Sequence, residues 1–322
     1  MMPLVSVIIP NYNHAKYLRQ RIESVFNQSF QDFEVITMDD ASTDDSLAVI
    51  EEYRSHPKVA GILLNKTNTH NLLTQWRKGV NESRGEYIWI AESDDYADRE
   101  FLEQQVALMD GQEQCAIAFS NSYIVNGNGE ITDSTDNWTN KTFATSRWSG
   151  SYYNEGKDEL FKYVLIACTL TNISACIFRK SAFRNAIENI VDISLISDWI
   201  VYMKLLYKHD ILYNPRKLNY YRMHSGNSSK RNLKGAGEKS DRFLVKLNFL
   251  RSFPFTDEEY ERIIKELGRE YRGILGALRS RTISIKNLWR THKNIKNGKL
   301  YMRIITSSIR SKYSNPNKKL SF

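Results

Sequence analysis

Short apolar runs alternate with amphipathic segments through the first part of the chain. Four runs, at residues 4–9, 33–38, 59–64 and 86–91, are rich in branched apolar residues, and the segments between them carry apolar residues every three or four positions. A continuous apolar run is typical of a strand that is buried on both faces of a parallel sheet. Parallel neighbours need a crossover that is usually a helix. The alternation therefore predicts an α/β fold, with a mostly parallel central sheet and helices on both faces.

Polar residues follow three of these runs, where the predicted strands end. They are Asn11–Asn13, Asp39-Asp40 and Asp94-Asp95. Ligands of such sheets bind outside the carboxyl ends of the strands, so the three clusters predict one binding site. Adjacent aspartates after a buried strand suit Mg²⁺ or Mn²⁺, which take one or two carboxylates and leave other positions to phosphate oxygens. The alternative is a surface loop in which an aspartate only caps a helix.

The C-terminal part differs in charge from the rest. From residue 230 onward there are 23 Lys/Arg and 8 Asp/Glu, a balance of +15, whereas the other 229 residues carry 22 basic and 29 acidic residues, a balance of −7. Thr256 and Glu259 form a capping-box pattern at the start of a helical stripe. We therefore expect an α/β domain over residues 1–230 and a basic helical region over residues 231–322.

The sequence indicates neither a membrane span nor a secretion signal. No window approaches the roughly 18 consecutive apolar residues that cross a bilayer, and the N-terminal apolar run has no basic region before it and breaks at Pro10. Cys115, Cys168 and Cys176 lack a metal-binding or redox spacing, which favours buried free thiols. We expect a cytoplasmic protein.

Four motifs in this order resemble glycosyltransferase family 2 with the GT-A fold. They are VSVIIPNYN, MDDASTDDS, GEYIWIAESDD and YYRMHSGNSS, and the resemblance covers roughly residues 4–230. It implies a Rossmann-like nucleotide-binding half and a metal-dependent reaction that moves a sugar, with inversion, from a nucleotide sugar to a hydroxyl group. We expect a UDP-linked donor and a glycan or lipid-linked glycan acceptor, as in the synthesis of cell-envelope polysaccharides.

The resemblance also assigns residues to the nucleotide sugar. The first strand and its loop would hold the base, with Pro10 in the strand and Tyr12 against the uracil, and Asp40 would accept a hydrogen bond from the base. Asp94 would lie near the ribose, and Asp95 would ligate the metal that bridges the diphosphate. Tyr12 and Asp40 have structural alternatives, since the ring could cover the end of the sheet and the carboxylate could cap the next helix.

Later residues are assigned to the chemistry and to phosphate. Asp198, at the start of a helix, matches the general base of the family, and His224 matches a position that reaches the metal or the diphosphate. Arg77 and Arg222 are candidate phosphate contacts. The structural alternatives are an N-cap for Asp198, a surface turn for His224 and an internal pairing partner for Arg222.

The sequence departs from the family pattern at three positions. Glu92 replaces the first aspartate of the metal motif, Ser197 precedes Asp198 where relatives have Glu-Asp, and Trp76 stands three positions before Gly79 where an arginine is usual. We therefore do not count Glu92 as a metal ligand, and Asp198 is left as the candidate base.

Two local predictions concern segments outside these motifs. Ser42 and Thr43 are placed to cap the helix after the second strand. Residues 133–154 predict a polar loop rich in aromatic residues, in which Trp138 and Trp148 could stack on an acceptor sugar or pack in the core.

Two other function classes fit parts of the sequence. A nucleotidyltransferase also uses an aspartate-bound metal on an α/β sheet, but the segment after the first strand is not a glycine-rich loop that carries Lys or Arg. A nucleic-acid-binding protein would account for the pI of about 9.2. However, the basic charge is confined to the tail and no nucleic-acid-binding motif occurs, so no nucleic-acid partner is expected.

The basic tail has three candidate partners. Leu300, Ile304 and Ile305 lie beside Arg303 and Arg310 in a pattern typical of a basic amphipathic helix. Such a helix can lie on an anionic membrane surface, which would place the enzyme peripherally on the inner face of the cell membrane. Alternatively, the tail packs on the acidic catalytic domain or on a second subunit of a homodimer.

Overall fold

The N-terminal part alternates strands and helices, as predicted. The structure is a computed structural model and describes residues 2–188, 190, 197–224, 226, 237–280, 295 and 298–313. The first elements are β1 (Val5–Asn11), α1 (Ala15–Phe26), β2 (Phe33–Asp39), α2 (Ser46–Glu52), β3 (Val59–Leu64), α3 (Leu72–Glu82) and β4 (Tyr87–Ile90).

Shorter strands and further helices follow. They are β5 (Tyr96–Ala97), α4 (Phe101–Met109), β6 (Cys115–Asn126), β7 (Ile131–Ser134), α5 (Thr135–Phe143), β8 (Tyr152–Asn154), α6 (Gly156–Glu159), β9 (Cys176–Arg179), α7 (Lys180–Ile187), α8 (Ser197–Leu206) and β10 (Asp210–Met223). The C-terminal helices are α9 (Gly237–Leu250), α10 (Asp257–Arg279) and α11 (Gly298–Tyr313).

The strands form one sheet in the order β3-β2-β1-β4-β9-β6-β10-β5, with β7 paired to β6 and β8 to β10. The pairs β3–β2, β2–β1, β1–β4 and β6–β10 are parallel. Strand β9 runs antiparallel to both of its neighbours, so β4 and β6 point the same way. Six strands therefore share one direction, and the predicted α/β class with a mostly parallel sheet is confirmed.

Helices bury both faces of β1, the strand at the centre of the parallel part. On one face Leu18 and Ile22 of α1 join Val7 in the hydrophobic core. On the other face α3 approaches very closely, because a Cβ atom on Gly79 would lie 2.5 Å from Cγ2 of Ile8. Every residue of β1 is buried as a result, which explains why its sequence shows no polar alternation.

The register of the parallel strands brings the three polar clusters to one edge. Asn11 at the end of β1 lies opposite Asp39 at the end of β2. Ile8 pairs with Ile90 at the end of β4, and the chain then runs on to Asp94. The sheet thus positions a site at the carboxyl ends of its central strands, the place that the sequence predicts.

Two local predictions were wrong. The N-cap of α2 is Asp45, not Ser42 or Thr43, and its side chain makes no cap bond. Ser42 is used elsewhere, because its hydroxyl donates to Asp39 at 2.6 Å. Residues 133–154 are not one loop, since they contain α5 and β8. Trp148 is buried in the core with 1% of its surface exposed, whereas Trp138 is 42% exposed.

Two compact units share the chain. One comprises Met1–Leu160, Thr169–Asp192 and Leu205–His224; the other comprises Phe161–Cys168, Ile193–Lys204 and Ser225–Phe322. The second unit takes in two segments that precede residue 230, so it is larger than the predicted helical region. The domain boundary at residue 230 stays a prediction.

The second unit is built on α10. This helix begins with the predicted capping box, in which the Thr256 hydroxyl accepts from Glu259 N–H and the Glu259 carboxylate accepts from Thr256 N–H. Helix α11 packs closely on it, because a Cβ atom on Gly268 would lie 2.9 Å from the backbone nitrogen of Ser308. Within the described ranges, no helix is both long enough and apolar enough to cross a membrane.

The three cysteines are free thiols, as predicted. Cys115 and Cys176 are buried, and Cys168 is half-buried. Burial raises the pKa of Cys115 to about 11, which keeps this thiol protonated and unreactive at neutral pH.

Candidate active site

Three side chains that can ligate a metal ion meet at the carboxyl edge of the sheet. The ligand atoms of His14, Asp94 and His224 all lie within 4.8 Å of one another. Nε2 of His224 lies 3.1 Å from Oδ2 of Asp94, although the two residues are 130 positions apart in the chain. His14 follows β1, Asp94 follows β4 and His224 follows β10, so the sheet brings this His–Asp–His cluster together.

His14 was missed in the sequence. Its Nδ1 lies 2.9 Å from the hydroxyl of Ser93, so Nε2 is the nitrogen that remains for a ligand. Burial lowers the pKa of His14, while the charge of Asp94 acts in the opposite direction. A neutral imidazole is the form that binds metals. Its position directly after the polar cluster Asn11–Asn13 is the signal that could have found it.

Asp95 is close to the cluster but directed into the protein. Its Oδ2 accepts from the amide of Asn172 at 2.8 Å, and its Oδ1 accepts from the backbone N–H of Arg222 at 2.8 Å. Burial and the charge of Asp94 raise the pKa of Asp95 to about 6. The imidazole of His224 thus contacts the carboxylate of Asp94. The roles that the sequence assigns, ribose for Asp94 and metal for Asp95, stay predictions.

Arg222 is an internal partner in this structure, one of its two sequence-based alternatives. Only 2% of its surface is exposed. Its Nε donates to the carbonyl oxygen of Asp94 at 2.8 Å and its Nη2 to Gln20 Oε1 at 2.6 Å. The guanidinium carbon lies 4.6 Å from the centre of the Tyr17 ring. The residue therefore braces the backbone that carries Asp94.

Two departures from the family pattern contact each other. Trp76, buried in α3, donates its indole N–H to Glu92 Oε1 at 3.3 Å. Burial raises the pKa of Glu92 to about 8, and the charges of Asp94 and Asp95 add to this effect. At neutral pH Glu92 is therefore mainly protonated, and this half-buried acid adds little charge beside the two aspartates.

A hydrogen-bond network surrounds Asp40, next to the cluster along the sheet edge. Oδ1 of Asp40 accepts from the amides of Asn65 at 2.6 Å and Gln75 at 2.8 Å. Oδ2 accepts from the hydroxyl of Thr69 at 2.9 Å. Asp40 therefore does not cap a helix, the structural alternative that the sequence offers; it fixes the segment between β3 and α3.

The remaining predicted residues lie at this edge or near it. Pro10 is buried within β1, and Tyr12 just beyond it is 41% exposed. Arg77 uses its guanidinium internally, because Nη2 donates to the carbonyl oxygens of Ile187 at 2.7 Å and Ile190 at 3.0 Å. Its predicted phosphate contact has no counterpart in these contacts and stays a prediction.

Asp198 lies in the second compact unit, in the first turn of α8 as predicted. Its Oδ1 accepts from the backbone N–H of Trp199 at 2.9 Å. Burial raises the pKa of Asp198 to about 6. The indole of Trp199 is anchored by a 2.7 Å hydrogen bond to the carbonyl oxygen of Val164 in the same unit. A carboxylate with a raised pKa at a helix start is suited to accept a proton.

Comparison with known proteins identifies one family. Its model, described as glycosyl transferase family 2, matches residues 6–185. An uncharacterized glycosyltransferase of Methanocaldococcus jannaschii is 29% identical over 212 residues, which cover 65% of this chain and 68% of the relative. The poly(ribitol-phosphate) beta-N-acetylglucosaminyltransferase TarS of Staphylococcus aureus is 34% identical over 107 residues, which cover 33% of this chain but only 18% of TarS.

Solved structures share the fold. TarS 1–349 in complex with UDP-GlcNAc matches with a TM-score of 0.63 at 19% identity, over 84% of this chain and 72% of that one. The mannosyltransferase PcManGT of Pyrobaculum calidifontis, in complex with GDP-Man and Mn²⁺, matches with a TM-score of 0.56 at 12% identity, over 98% of this chain and 88% of that one. At these identities the likeness concerns the fold, and the predicted GT-A fold is confirmed.

Proposed function

The chain belongs to glycosyl transferase family 2, whose members transfer a sugar from a nucleotide sugar, and we propose that this glycosyltransferase is an inverting enzyme that uses a UDP-linked donor and a divalent cation. The observation that carries the proposal is the His–Asp–His cluster beside the Asp40 network. Both lie at the sheet edge where ligands of parallel sheets bind. Family membership favours this class over a nucleotidyltransferase or a nucleic-acid-binding protein.

The donor set of the cluster suits a divalent cation. Two imidazole nitrogens and one carboxylate oxygen favour Mn²⁺ over Mg²⁺, which prefers oxygen ligands. We assign His14, Asp94 and His224 as the ligands. Asp95 is the carboxylate that holds the turn carrying Asp94 in place. When bound, the cation would neutralise the diphosphate leaving group without a proton transfer.

The Asp40 network and the exposed Tyr12 form the proposed base-binding end. A carboxylate has about four lone-pair positions. Oδ1 of Asp40 accepts from three donors, the Asn65 and Gln75 amides and Thr69 N–H. Oδ2 accepts from the Thr69 hydroxyl at 2.9 Å and shares the Thr69 N–H at 3.1 Å, so it is the less occupied oxygen and the one assigned to a uracil N–H. Tyr12, after Pro10, would stack on the base. TarS was solved with UDP-GlcNAc and PcManGT with GDP-Man, so the base is the first property to test.

Asp198 is the proposed general base. As the acceptor oxygen attacks the anomeric carbon, its proton passes to the Asp198 carboxylate, and the nucleoside diphosphate departs from the opposite face. One attack of this kind inverts the configuration. A pKa of about 6 leaves Asp198 mostly ionised at neutral pH while keeping it more basic than an ordinary aspartate.

A glycan or lipid-linked glycan of the cell envelope is the proposed acceptor. The name of TarS describes transfer of N-acetylglucosamine to poly(ribitol phosphate), which is a polymer. Trp138, with its exposed ring, is a surface on which an acceptor sugar could stack. The basic C-terminal region would hold the enzyme on the inner face of the membrane, where lipid-linked acceptors lie; a homodimer is the alternative use of that region.

Thermal unfolding with nucleotides tests the donor and the cation together. UDP with Mn²⁺ should raise Tm more than UDP with EDTA or GDP with Mn²⁺. A ligand at a hundredfold excess over its Kd stabilises by about 2.7 kcal/mol. The Mn²⁺-dependent part should disappear in Asp94→Asn. Equal shifts with UDP in Mn²⁺ and in EDTA would contradict the cation, and a larger shift with GDP would contradict the donor.

A further inference from the structure

Arg21 is a fully buried arginine beneath the candidate active site. Helix α1 presents it on the same inward face as Leu18 and Ile22, and 0% of its surface is exposed. Nε donates to the carbonyl oxygen of Glu92 at 2.9 Å. The two terminal nitrogens, Nη1 and Nη2, have no hydrogen-bond partner among the residues that the structure describes. The guanidinium carbon lies 5.5 Å from the centre of the Trp89 ring.

A buried guanidinium with two unbonded nitrogens is strongly unfavourable unless opposite charges offset it. Three acidic side chains lie close enough to act on Arg21, and the two aspartates carry the negative charge at neutral pH, since Glu92 is mainly protonated. Burial lowers the pKa of Arg21 to about 10, while Asp95, Asp94 and Glu92, in that order, act to raise it. Arg21 is therefore charged at neutral pH and paired electrostatically with the aspartates above it, without a direct hydrogen bond to either.

The contact of Arg21 is made to a specific backbone turn. The Glu92 carbonyl oxygen that accepts from Arg21 also accepts from Asp95 N–H at 3.2 Å, which closes a turn over Glu92–Asp95, here called the acidic turn. The Asp95 carboxylate is bonded by two neutral donors, the Asn172 amide and the Arg222 backbone N–H. Neutral donors orient a carboxylate but leave its charge uncancelled.

We propose that Arg21 is the resident counter-charge of the acidic turn, which keeps two adjacent aspartates in place before any divalent cation or nucleotide binds. As a positioning residue it acts through the Glu92 carbonyl and through its charge, and it touches no substrate. The inference rests on the proposed cation site in one respect: a bound cation and Arg21 would serve the same carboxylates. Arg21 and a bound cation are both positive, so each weakens the hold of the other on these carboxylates. Removal of Arg21 should therefore tighten cation binding.

Titration calorimetry with Mn²⁺ alone gives the first test. In Arg21→Met the affinity for Mn²⁺ should rise about 5-fold or more over the wild type, and in EDTA the variant should unfold at a lower Tm. Arg21→Lys keeps the charge and should bind Mn²⁺ like the wild type. Arg19→Met is the matched control, since Arg19 lies on the same helix but pairs with exposed Glu52. Where the wild type binds Mn²⁺, weaker or unchanged binding in Arg21→Met would overturn the inference.

A second test needs no metal and separates the two proposals. In EDTA, Arg21→Met/Asp95→Asn should have a higher Tm than Arg21→Met, because removal of one carboxylate restores the charge balance. If Arg21→Met does not fold, recovery of folded protein in the double variant gives the same answer. Additive losses of Tm would overturn the inference. A recovered Tm in a protein that never binds Mn²⁺ would support the counter-charge and contradict the cation site.

Discussion

Asp94 and Asp95 are neighbours in the chain but have different surroundings. Asp94 faces two histidines: burial acts to raise its pKa, yet the hydrogen bond to His224 and the charge of His14 lower it overall. Asp95 turns inward to Asn172, and burial raises its pKa. The acidic turn directs the Asp94 carboxylate to His224 and the Asp95 carboxylate to Asn172, so one carboxylate can serve a ligand while the other holds the backbone.

Exchange of each aspartate for asparagine separates the two roles. Asp94→Asn should weaken Mn²⁺ binding by at least about 100-fold because it removes a ligand, whereas Asp95→Asn should lower it by about 10-fold through loss of support. Titration calorimetry with Mn²⁺ measures both. The reverse order of effects would favour the sequence-based assignment, in which Asp95 is the metal ligand.

Asp198 should make the protein less stable at the pH at which it is useful. Its folded pKa of about 6 lies above the ordinary value of 3.8, so the folded state binds the proton more tightly and stability falls as pH rises from about 4 to about 6. At pH 7.5 the free energy of unfolding of Asp198→Asn should therefore exceed that of the wild type by roughly 1–3 kcal/mol, and its Tm should be higher. Near pH 4 the two proteins should be equally stable.

The same substitution should abolish most of the activity. Loss of the proton acceptor should lower kcat by about 10²–10⁴-fold with donor affinity unchanged. Thermal unfolding at both pH values and a transfer assay measure the two effects. A variant with near-normal kcat would show that Asp198 is a helix cap only, whatever its stability.

At the scale of elements, the sequence indicates what depends on apolar periodicity. The four strands of the first part, their crossover helices and the capping box of α10 follow from local pattern, and the parallel order then places three polar clusters at one edge. Helix α5 could not be found this way. Its buried residues are Thr135 and Thr139, which lie one turn apart, and Thr135 bonds the Asn121 side chain at 2.7 Å. Tertiary hydrogen bonds stabilise this helix, and its buried face is polar. In the sequence such a segment cannot be told from a polar loop.

The candidate site shows the same limit. Asp40, Asp94, Asp95 and His224 stand in motifs, and the sequence singles them out. Arg21 lies three positions after Leu18 and four before Val25, so its spacing allows an inward position, but an arginine in an amphipathic helix is ordinarily expected at the solvent. Its role depends on the acidic turn, which follows β4 far along the chain. Long-range charge pairing of this kind becomes visible only in the folded protein.

The packing of α3 on β1 makes a testable exception to helix propensity. Gly to Ala inside a helix is usually favourable by up to about 1 kcal/mol. Gly79→Ala should instead destabilise by about 1–3 kcal/mol, because the new Cβ would lie 2.5 Å from Ile8. Gly276→Ala in α10 is the matched control, since no atom lies within 4 Å of that position, and it should stabilise. Urea unfolding measures both; equal effects would mean that α3 shifts freely.

At the scale of the whole molecule, the packing of α11 within the second unit leaves one of its faces for the predicted membrane contact. Within the second unit one side of α11 packs inward, with Ile304 fully buried and Tyr301 near Tyr271. Met302 and Ile309, seven positions apart and so on one face of the helix, are 59% and 55% exposed. Packing therefore accounts for one face of α11 and leaves an apolar pair on the other, in a helix whose charged residues are all basic.

That exposed pair is the predicted contact with an anionic membrane. Full-length protein should float with vesicles that contain phosphatidylserine at low salt, and less at high salt, because the Debye length shortens from about 30 Å at 0.01 M to about 10 Å at 0.1 M. Met302→Ser/Ile309→Ser should lower the bound fraction by about 10-fold, since each side chain loses apolar area that the membrane would bury. Ile131→Ser is the matched control, because Ile131 is 56% exposed in the other unit and should not matter. If the double variant floats as well as the wild type, α11 does not bind the membrane, and the exposed pair is left to a second subunit.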